Sequence, residues 1–361
     1  MKTLFLIITV MHGLIHLAGF AKAFRIARFE QLTKEISRTE GILWLLAGML
    51  FLLAVLFYLL DQDKWWVLGL PAVVISQVLI ILTWQDARYG TLANGIVLFT
   101  AVVAFGTFRF NSMVDLGVKE FTGGIAEYNR KVERSDLNGL PAIVQKYFQA
   151  SGILGREYTS SAYLKQKGEM RTRKEANWMP FTAEQWFRSA APGFIWKVKV
   201  NAFPGIFMVG RDQYVNGKGG MLIKLLGVIP VANAEGAKVD QGSLLRYLAE
   251  APWMPSALLH PAIEWQEMDS LSAVATMSYG EVTASGVFRF NSEGDLQNFE
   301  AKRYYGTDDN AVQENWHVRI LPGGIREFNG VRIPAASEVS WKLTDGDFLW
   351  LKMEVMEVEY R

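Results

Sequence analysis

The hydrophobic rhythm of the chain changes near position 110. Before it, apolar residues run almost without a break; beyond about Ser135 they alternate with polar ones. Four early stretches lack a charged residue over close to the thickness of a bilayer, at 3–21, 41–60, 65–84 and 92–108. A helix needs roughly 20 apolar residues to cross. The first three stretches meet that length outright, and Arg109 and Phe110 extend the fourth to the interface. Trp44, Tyr58, Trp65, Trp66, Trp84 and Tyr89 fall at the ends of these stretches, where amphipathic rings prefer to sit. The pattern predicts a four-span helical bundle over 1–110.

The loops set a direction. Lys22, Arg25, Arg28, Lys34 and Arg38 in the first loop and Arg88 in the third outnumber Lys2, Lys64, Arg109 and Lys119 on the other side. The excess predicts that the first and third loops are cytoplasmic and that the C-terminal domain is extracytoplasmic. A rival reading makes residues 1–23 a cleaved signal peptide ending at Ala21-Lys22-Ala23. It would leave the basic first loop outside, against the charge rule, and two histidines suit a signal core poorly.

Past the bundle, Phe110, Met113, Val118 and Phe121 recur at helical spacing, with Asn111 or Ser112 available as a cap and Gly123-Gly124 as a stop. This predicts an amphipathic juxtamembrane linker over 111–139. Pro141 and Gly152 bracket a further helix in "LPAIVQKYFQASG". From Tyr158 the period falls to two. Phe194, Trp196, Val198 and Val200 alternate with Lys197, Lys199 and Asn201, and Val282, Ala284, Gly286, Phe288 and Phe290 share one face. Asn329-Gly330 and Asp345-Gly346 are dipeptides suited to two-residue hairpins. A phase slip after Val355 in "FLWLKMEVMEVEYR" predicts a bulge near 355–356.

About ten strands result, hence one large antiparallel sheet over 140–361. One helical segment interrupts them, "GSLLRYLAEAPWMPSALL", with Ser243 as its expected cap and Pro252 as its stop. An apolar helix inserted among antiparallel strands covers a sheet face, and a twisted sheet of this size tends to curl. The predicted fold class is an α-helical four-span membrane bundle plus a soluble α+β domain, a curved half-barrel-like sheet with a covering helix.

The stretches "HGLIHLAGFAKAF", "SQVLIILTWQDARYGTLANGI" and "GSLLRYLAEAPWMPSALL" resemble a bacterial membrane-protein family known only as a domain of unknown function. The resemblance implies four helices followed by a β-rich domain, and a place in the bacterial inner membrane. It brings no catalytic residue. The β domain also resembles lipoprotein-carrier half-barrels of the LolA and LppX type, in which an open sheet wraps a helix and holds acyl chains.

Composition narrows the chemistry. The 361 residues include no cysteine, which excludes disulfides and thiolate sites, and the net charge of +1 with no basic block excludes a nucleic-acid footprint. No nucleophile elbow, phosphate loop or H-E-x-x-H motif appears. His260 and His317 are the histidines outside the apolar stretches, each read as solvated rather than catalytic. Arg246 and Glu250, four apart on the covering helix, form either an ion pair at a cavity mouth or a solvated face. Trp196, Tyr247 and Trp253 either line a ligand cavity or fill a core.

Half of the four histidines fall in the first span. His12 lies roughly 15 Å and His16 roughly 21 Å in from Lys2, with Ser76 and Gln77 of the third span at matching depth. Polar groups there turn toward one another. The cluster fits a structural lock, a proton relay or contact with a head group or quinone, or a metal or haem site lacking a third ligand. Asp86, Arg88 and Asn94 read as a tight turn held by an Asp86–Arg88 contact. No cofactor or metal is expected.

The reading that follows is a membrane-anchored protein binding a lipid or other apolar small molecule in an extracytoplasmic half-barrel within the cell envelope. The alternatives are a redox or transport protein built on His12 and His16, and a module binding another envelope protein. No feature sets the oligomeric state or points to an enzyme.

Overall fold

The computed structural model describes residues 2–124, 128, 130–306 and 311–361. The chain divides into two compact units, Met1–Met113 with Leu226–Ile229, and Val114–Leu225 with Pro230–Arg361.

The first unit holds the apolar helices α1 (Lys2–Ala23), α2 (Arg38–Leu59) and α3 (Trp66–Leu82), the short α4 (Trp84–Ala87), and most of α5 (Gly90–Thr122). By length and composition α1, α2 and α5 are able to cross a membrane; α3, with 17 residues and an internal Pro71, is a shorter apolar helix. Ser37 and Glu40 cap α2 reciprocally, each side chain bonded to the other's backbone N–H. Small residues bring α1 and α2 together: a Cβ on Gly48 would lie 2.9 Å from the Gly13 carbonyl oxygen, and one on Gly19 would meet the Trp44 ring at 2.3 Å.

Helix α5 corrects one expectation. No proline interrupts it, so it runs without a break past Arg109 to Thr122, and the expected separate linker helix capped at Asn111 or Ser112 is its last turns. Positions 125–127 and 129 of the expected linker lie outside the described residues.

The second unit is built on strands β1 (Ser161–Met170), β2 (Met179–Arg188), β3 (Gly193–Phe203), β4 (Ile206–Val215), β5 (Lys218–Leu225), β6 (Ile229–Ala234), β7 (Ile263–Asp269), β8 (Ser272–Tyr279), β9 (Val282–Phe290) and β10 (Leu296–Tyr305). After them come β11 (Val312–Ile320), β12 (Ile325–Phe328), β13 (Val331–Pro334), β14 (Ala336–Leu343) and β15 (Gly346–Tyr360). Thirteen form one sheet in the order β6-β5-β4-β3-β2-β1-β15-β14-β11-β10-β9-β8-β7, while β12 and β13 pair separately. The long β15 joins the N-terminal and C-terminal meanders by pairing with β1 and β14. Lys165 faces Glu357 and Gln166 faces Val355, which leaves Met356 as the extra residue of the expected bulge.

Two hairpins have Asn-Gly centres at positive φ, the expected Asn329-Gly330 (52° and 77°) and also Asn216-Gly217 (52° and 80°). The β14–β15 hairpin does not use Asp345-Gly346 as its centre. Leu343 pairs with Gly346, so Thr344 and Asp345 form the two-residue loop.

Helix α6 (Ala142–Ala150) and helix α7 (Ala237–Glu250) complete this unit, with single helical turns at Ala251–Trp253 and Pro255–Leu259. Helix α7 starts after Gly236, six residues before the expected cap, so Ser243 sits inside it. It packs on β3, β4 and β5 and also on β8, β9 and β10. Those groups lie on opposite flanks of the sheet, so the sheet curls around the helix. Tyr214 on β4 and Tyr279 on β8, far apart in strand order, come to 6.3 Å between ring centroids. The core lies inside this curl, where Phe194, Leu244, Leu245, Leu248, Phe288 and Phe299 are fully buried.

Candidate functional site

The curl is not packed solid. Between α7 and the inner sheet face lies a cavity of about 1040 Å³, its lining drawn entirely from the second unit. Period-two patterning puts alternate residues of each strand on this inner face: Trp196, Val198 and Val200 from β3, Trp316 and Val318 from β11, and others between. Such a volume lies at the upper end of small-molecule sites, roughly 300–1,000 Å³.

Helical spacing decides which α7 residues reach it. Arg246 and Glu250, one turn apart, share the cavity face, together with Gly242 and Ser243. Arg246 is buried among aromatic rings, 4.8 Å from the Phe194 centroid and 4.7 Å from that of Trp196. Its Nε donates to Glu250 at 2.7 Å and its Nη1 to Asp212 on β4 at 2.5 Å. Glu250 also accepts from Gln185 Nε2 at 2.8 Å, Gln185 accepts from Gln166 Nε2 at 3.1 Å, and Gln166 accepts from Trp196 Nε1 at 2.8 Å. Burial pushes the Glu250 carboxyl up, opposed by Arg246 and Gln185. Burial also works against the Arg246 charge, but Glu250 and Asp212 outweigh it and hold the guanidinium above its ordinary range. This is a buried charged network, not a solvated face.

Four of the five ligand candidates line the cavity: Trp196, Arg246, Glu250 and Trp253. Trp253 is anchored there by donating Nε1–H to the Pro334 carbonyl at 2.9 Å. Tyr247 belongs to the core instead. It is fully buried, stacks on Phe187 at 4.6 Å and donates to the Arg188 carbonyl at 3.0 Å.

Sequence reasoning passed over Arg303 on β10. It lines the cavity beside Gly242, where an added Cβ would lie 3.4 Å from its Nε, and lies 4.8 Å from the Trp316 centroid. Burial, opposed by Asp212 and Glu250 and reinforced by Arg246, brings its guanidinium down to about 10, so it stays cationic at neutral pH. Yet the side chain keeps part of its surface accessible. A group enclosed by protein that still has accessible surface faces a cavity. Its one signal in the sequence is a charge on an otherwise inward strand position.

The remaining soluble histidines are apart from this site. His260 Nδ1 accepts from the Ala262 N–H at 3.0 Å, and His317 lies 3.7 Å from Glu300.

In the first unit the polar side chains of α1, α3 and α5 do meet. His12 Nε2 lies 3.2 Å from Ser76 Oγ and 3.0 Å from Asn94 Oδ1. Asn94 donates to Gln77 at 3.0 Å, and Gln77 to Thr91 at 3.2 Å. Gln77 thus joins the cluster through Asn94, which a turn does not explain. His16 Nδ1 donates to the His12 carbonyl at 2.8 Å, and its buried Nε2 has no hydrogen-bond partner among the described residues. A cavity of about 300 Å³ adjoins the pair. The expected Asp86–Arg88 contact is replaced: Asp86 accepts from Thr33 and Lys34, and Arg88 donates to the Tyr89 hydroxyl.

Residues 130–353 match the family of unknown function DUF6544. The chain belongs to DUF6544. The DUF6544 segment contains every residue of the large cavity, from Met170 to Met353. No curated protein matches the chain. Among solved structures, it is similar to a DUF1329 family protein from Desulfovibrio piger, at 6% identity over 64% of this chain and 94% of that one, with a TM-score of 0.29. It is also similar to a beta-barrel-like protein of the domain of unknown function DUF1849 from Brucella abortus, at 8% identity over 56% and 98%, with a TM-score of 0.23.

Proposed function

We propose that this DUF6544 protein is a membrane-anchored binding protein that holds a lipid or other apolar ligand in its half-barrel. The observation that carries the reading is the cavity of about 1040 Å³ between α7 and the sheet, walled largely by tryptophan, methionine and branched side chains. Water gains little from such walls, so an apolar ligand that displaces it is favoured in proportion to the area covered. Three helices able to cross a membrane support the anchoring. The basic first loop supports an extracytoplasmic half-barrel on the bacterial inner membrane, where lipids or lipoproteins are handled.

Native mass spectrometry of the gently purified full chain, followed by solvent extraction, tests the reading. A bound lipid-sized adduct weakened by Val198→Trp, which narrows the cavity, is the expected result. An adduct-free protein that also fails to take up a neutral apolar dye overturns it.

A second reading, redox or transport chemistry at His12 and His16, is favoured by His16 Nε2, which has no hydrogen-bond partner among the described residues. Visible absorption, metal analysis and His16→Ala test it; no chromophore, no metal and no phenotype remove it.

A further inference from the structure

Two neighbouring hairpins of the half-barrel end in apolar tips. Phe203 pairs with Ile206 across the β3–β4 turn, and Met208 pairs with Leu225, which sets the β5–β6 turn beside it. Phe203 is 66% exposed, Ile206 45%, Ile229 54% and Val231 53%. Single apolar residues on a surface are ordinary, but a group of them on adjacent turns marks an interaction site. Leu226 holds φ 53°, a left-handed conformation that leucine adopts at a cost, and is followed by a glycine of positive φ as Asn216 and Asn329 are. Inside the first unit, which includes Leu226–Ile229, this tip packs on α5. A Cβ on Gly106 would lie 2.6 Å from Val228 Cγ2 and 2.9 Å from the Gly227 carbonyl oxygen, and one on Gly227 would lie 2.6 Å from Thr107 Oγ1. Phe105 and Phe108, on either side of this contact in sequence, meet Trp66 with ring centroids 4.8 and 5.9 Å apart. Lys64 Nζ lies 5.3 Å from the Phe108 ring, and the Arg109 guanidinium 5.8 Å from that of Phe105. Aromatic rings with basic side chains at the end of an apolar helix mark the boundary between water and lipid.

We propose that the β3–β4 and β5–β6 tips form a lipid-docking surface, with Phe203, Ile206 and Ile229 seated among acyl chains just below the head groups of the bilayer that the helices cross. The packing of Leu226–Ile229 on α5 selects a bilayer as the occupant, because it holds one tip at the boundary and strand register sets the other next to it. One register step behind the tips, Lys199 and Lys224 flank Val209, two cations at the level of the lipid phosphates. Val231 is exposed and also lines the large cavity, so the cavity reaches the surface beside these tips and docking sets its mouth against lipid. Docking goes beyond the ligand reading: it is a property of the rim and holds whether the cavity is filled or empty.

The chain has no cysteine, so a single thiol can be placed and labelled without competition. Phe203→Cys and Ile206→Cys are labelled in the full chain with a thiol-reactive NBD dye, with the exposed Met268→Cys on the opposite edge strand β7 as reference. Each is reconstituted in vesicles of phosphatidylcholine and phosphatidylglycerol. The label is then quenched either by a phospholipid carrying a nitroxide on its acyl chain or by iodide in the water. Labels at 203 and 206 are expected to lose most of their emission to the nitroxide lipid and little to iodide, and the label at 268 the reverse. Iodide reaching 203 and 206 as freely as 268 overturns the proposal. Protection of 203 and 206 from both quenchers also overturns it, since that puts protein, a second copy or another partner, on the tips. Two separately labelled positions decide the matter even where one variant fails to fold. Ligand binding is read apart from this, by native mass spectrometry, so an undocked rim leaves the apolar-ligand reading standing.

Discussion

Asn94 reaches His12 across 82 positions of sequence, its Oδ1 3.0 Å from the imidazole Nε2. The same Asn94 donates to Gln77 of α3, so one side chain of α5 ties α1 and α3 together. Interhelical hydrogen bonds in bilayers are each worth about 0.6 kcal/mol and at most about 1.7. Asn94→Leu removes two of them and leaves His12 with Ser76 alone. A loss of about 1–2 kcal/mol is expected in reversible unfolding from mixed micelles. A loss no larger than that of a lipid-facing substitution such as Phe99→Leu would mean that the network does not hold the bundle.

The buried Arg246 network makes a sharper prediction. Taking away one partner of a buried ion pair costs about 3–5 kcal/mol because the other charge is left without compensation. Arg246→Met strands both Asp212 and Glu250, each with side chains mostly shielded from solvent. It is expected to lower the stability of the β unit by about 3 kcal/mol or more. Adding Asp212→Asn and Glu250→Gln to the same chain removes the stranded charges and recovers most of the loss. Urea denaturation followed by tryptophan fluorescence reads both. A triple variant as unstable as the single one would place the cost in packing, not charge.

Two strand glycines with ordinary φ separate close approach from mere flexibility. A Cβ on Gly168 of β1 would lie 2.0 Å from the Lys352 carbonyl oxygen on β15 and 2.8 Å from the Phe181 ring. One on Gly220 of β5 would meet nothing nearer than 3.5 Å. Gly168→Ala is therefore expected to destabilise by about 2 kcal/mol, and Gly220→Ala to be neutral or mildly stabilising. Thermal shifts of the two variants side by side check this, and equal shifts would contradict the close approach.

What the sequence made legible follows from how each feature is encoded. The Met356 bulge was readable because a bulge shifts the side-chain period, which is a local signal. The Arg246–Glu250 face was readable because a four-residue step is one helical turn, and the same geometry explains why Tyr247, about 100° around the helix, turns into the core. Asn94 looked like turn chemistry because its partners His12 and Gln77 lie on other helices. Ser243 looked like a cap because the six residues before it, Ala237–Gly242, contain little apolar patterning. Their helix is held by tertiary contacts such as the Asp240 carboxylate accepting the Gly219 N–H at 2.7 Å. Arg303 has only its charge on an inward strand position to mark it. Its role depends on a void between α7 and β10 that no period along one strand encodes.

The last prediction concerns pH. Burial lowers the His260 imidazole below its ordinary value of 6.5, opposed by a backbone hydrogen bond to Ala190. Burial also lowers His317; Glu300 opposes the shift, while Lys342 and Arg319 add to it. A histidine with a depressed folded pKa binds its proton less readily in the native chain than in the unfolded one. Between the folded value and 6.5 the unfolded state therefore holds more protons, and stability rises with pH across that window. The contribution is fully present above 6.5 and is lost as pH falls through the folded values. Both rings are partly exposed, so solvent moderates the effect. The double variant His260→Asn, His317→Asn is expected to show a shallower decline than the wild type between about pH 7 and about pH 5. Denaturant midpoints measured across that range give the difference directly, and the carboxylates common to both proteins cancel from it. Parallel curves would show that neither imidazole resists protonation in the folded protein.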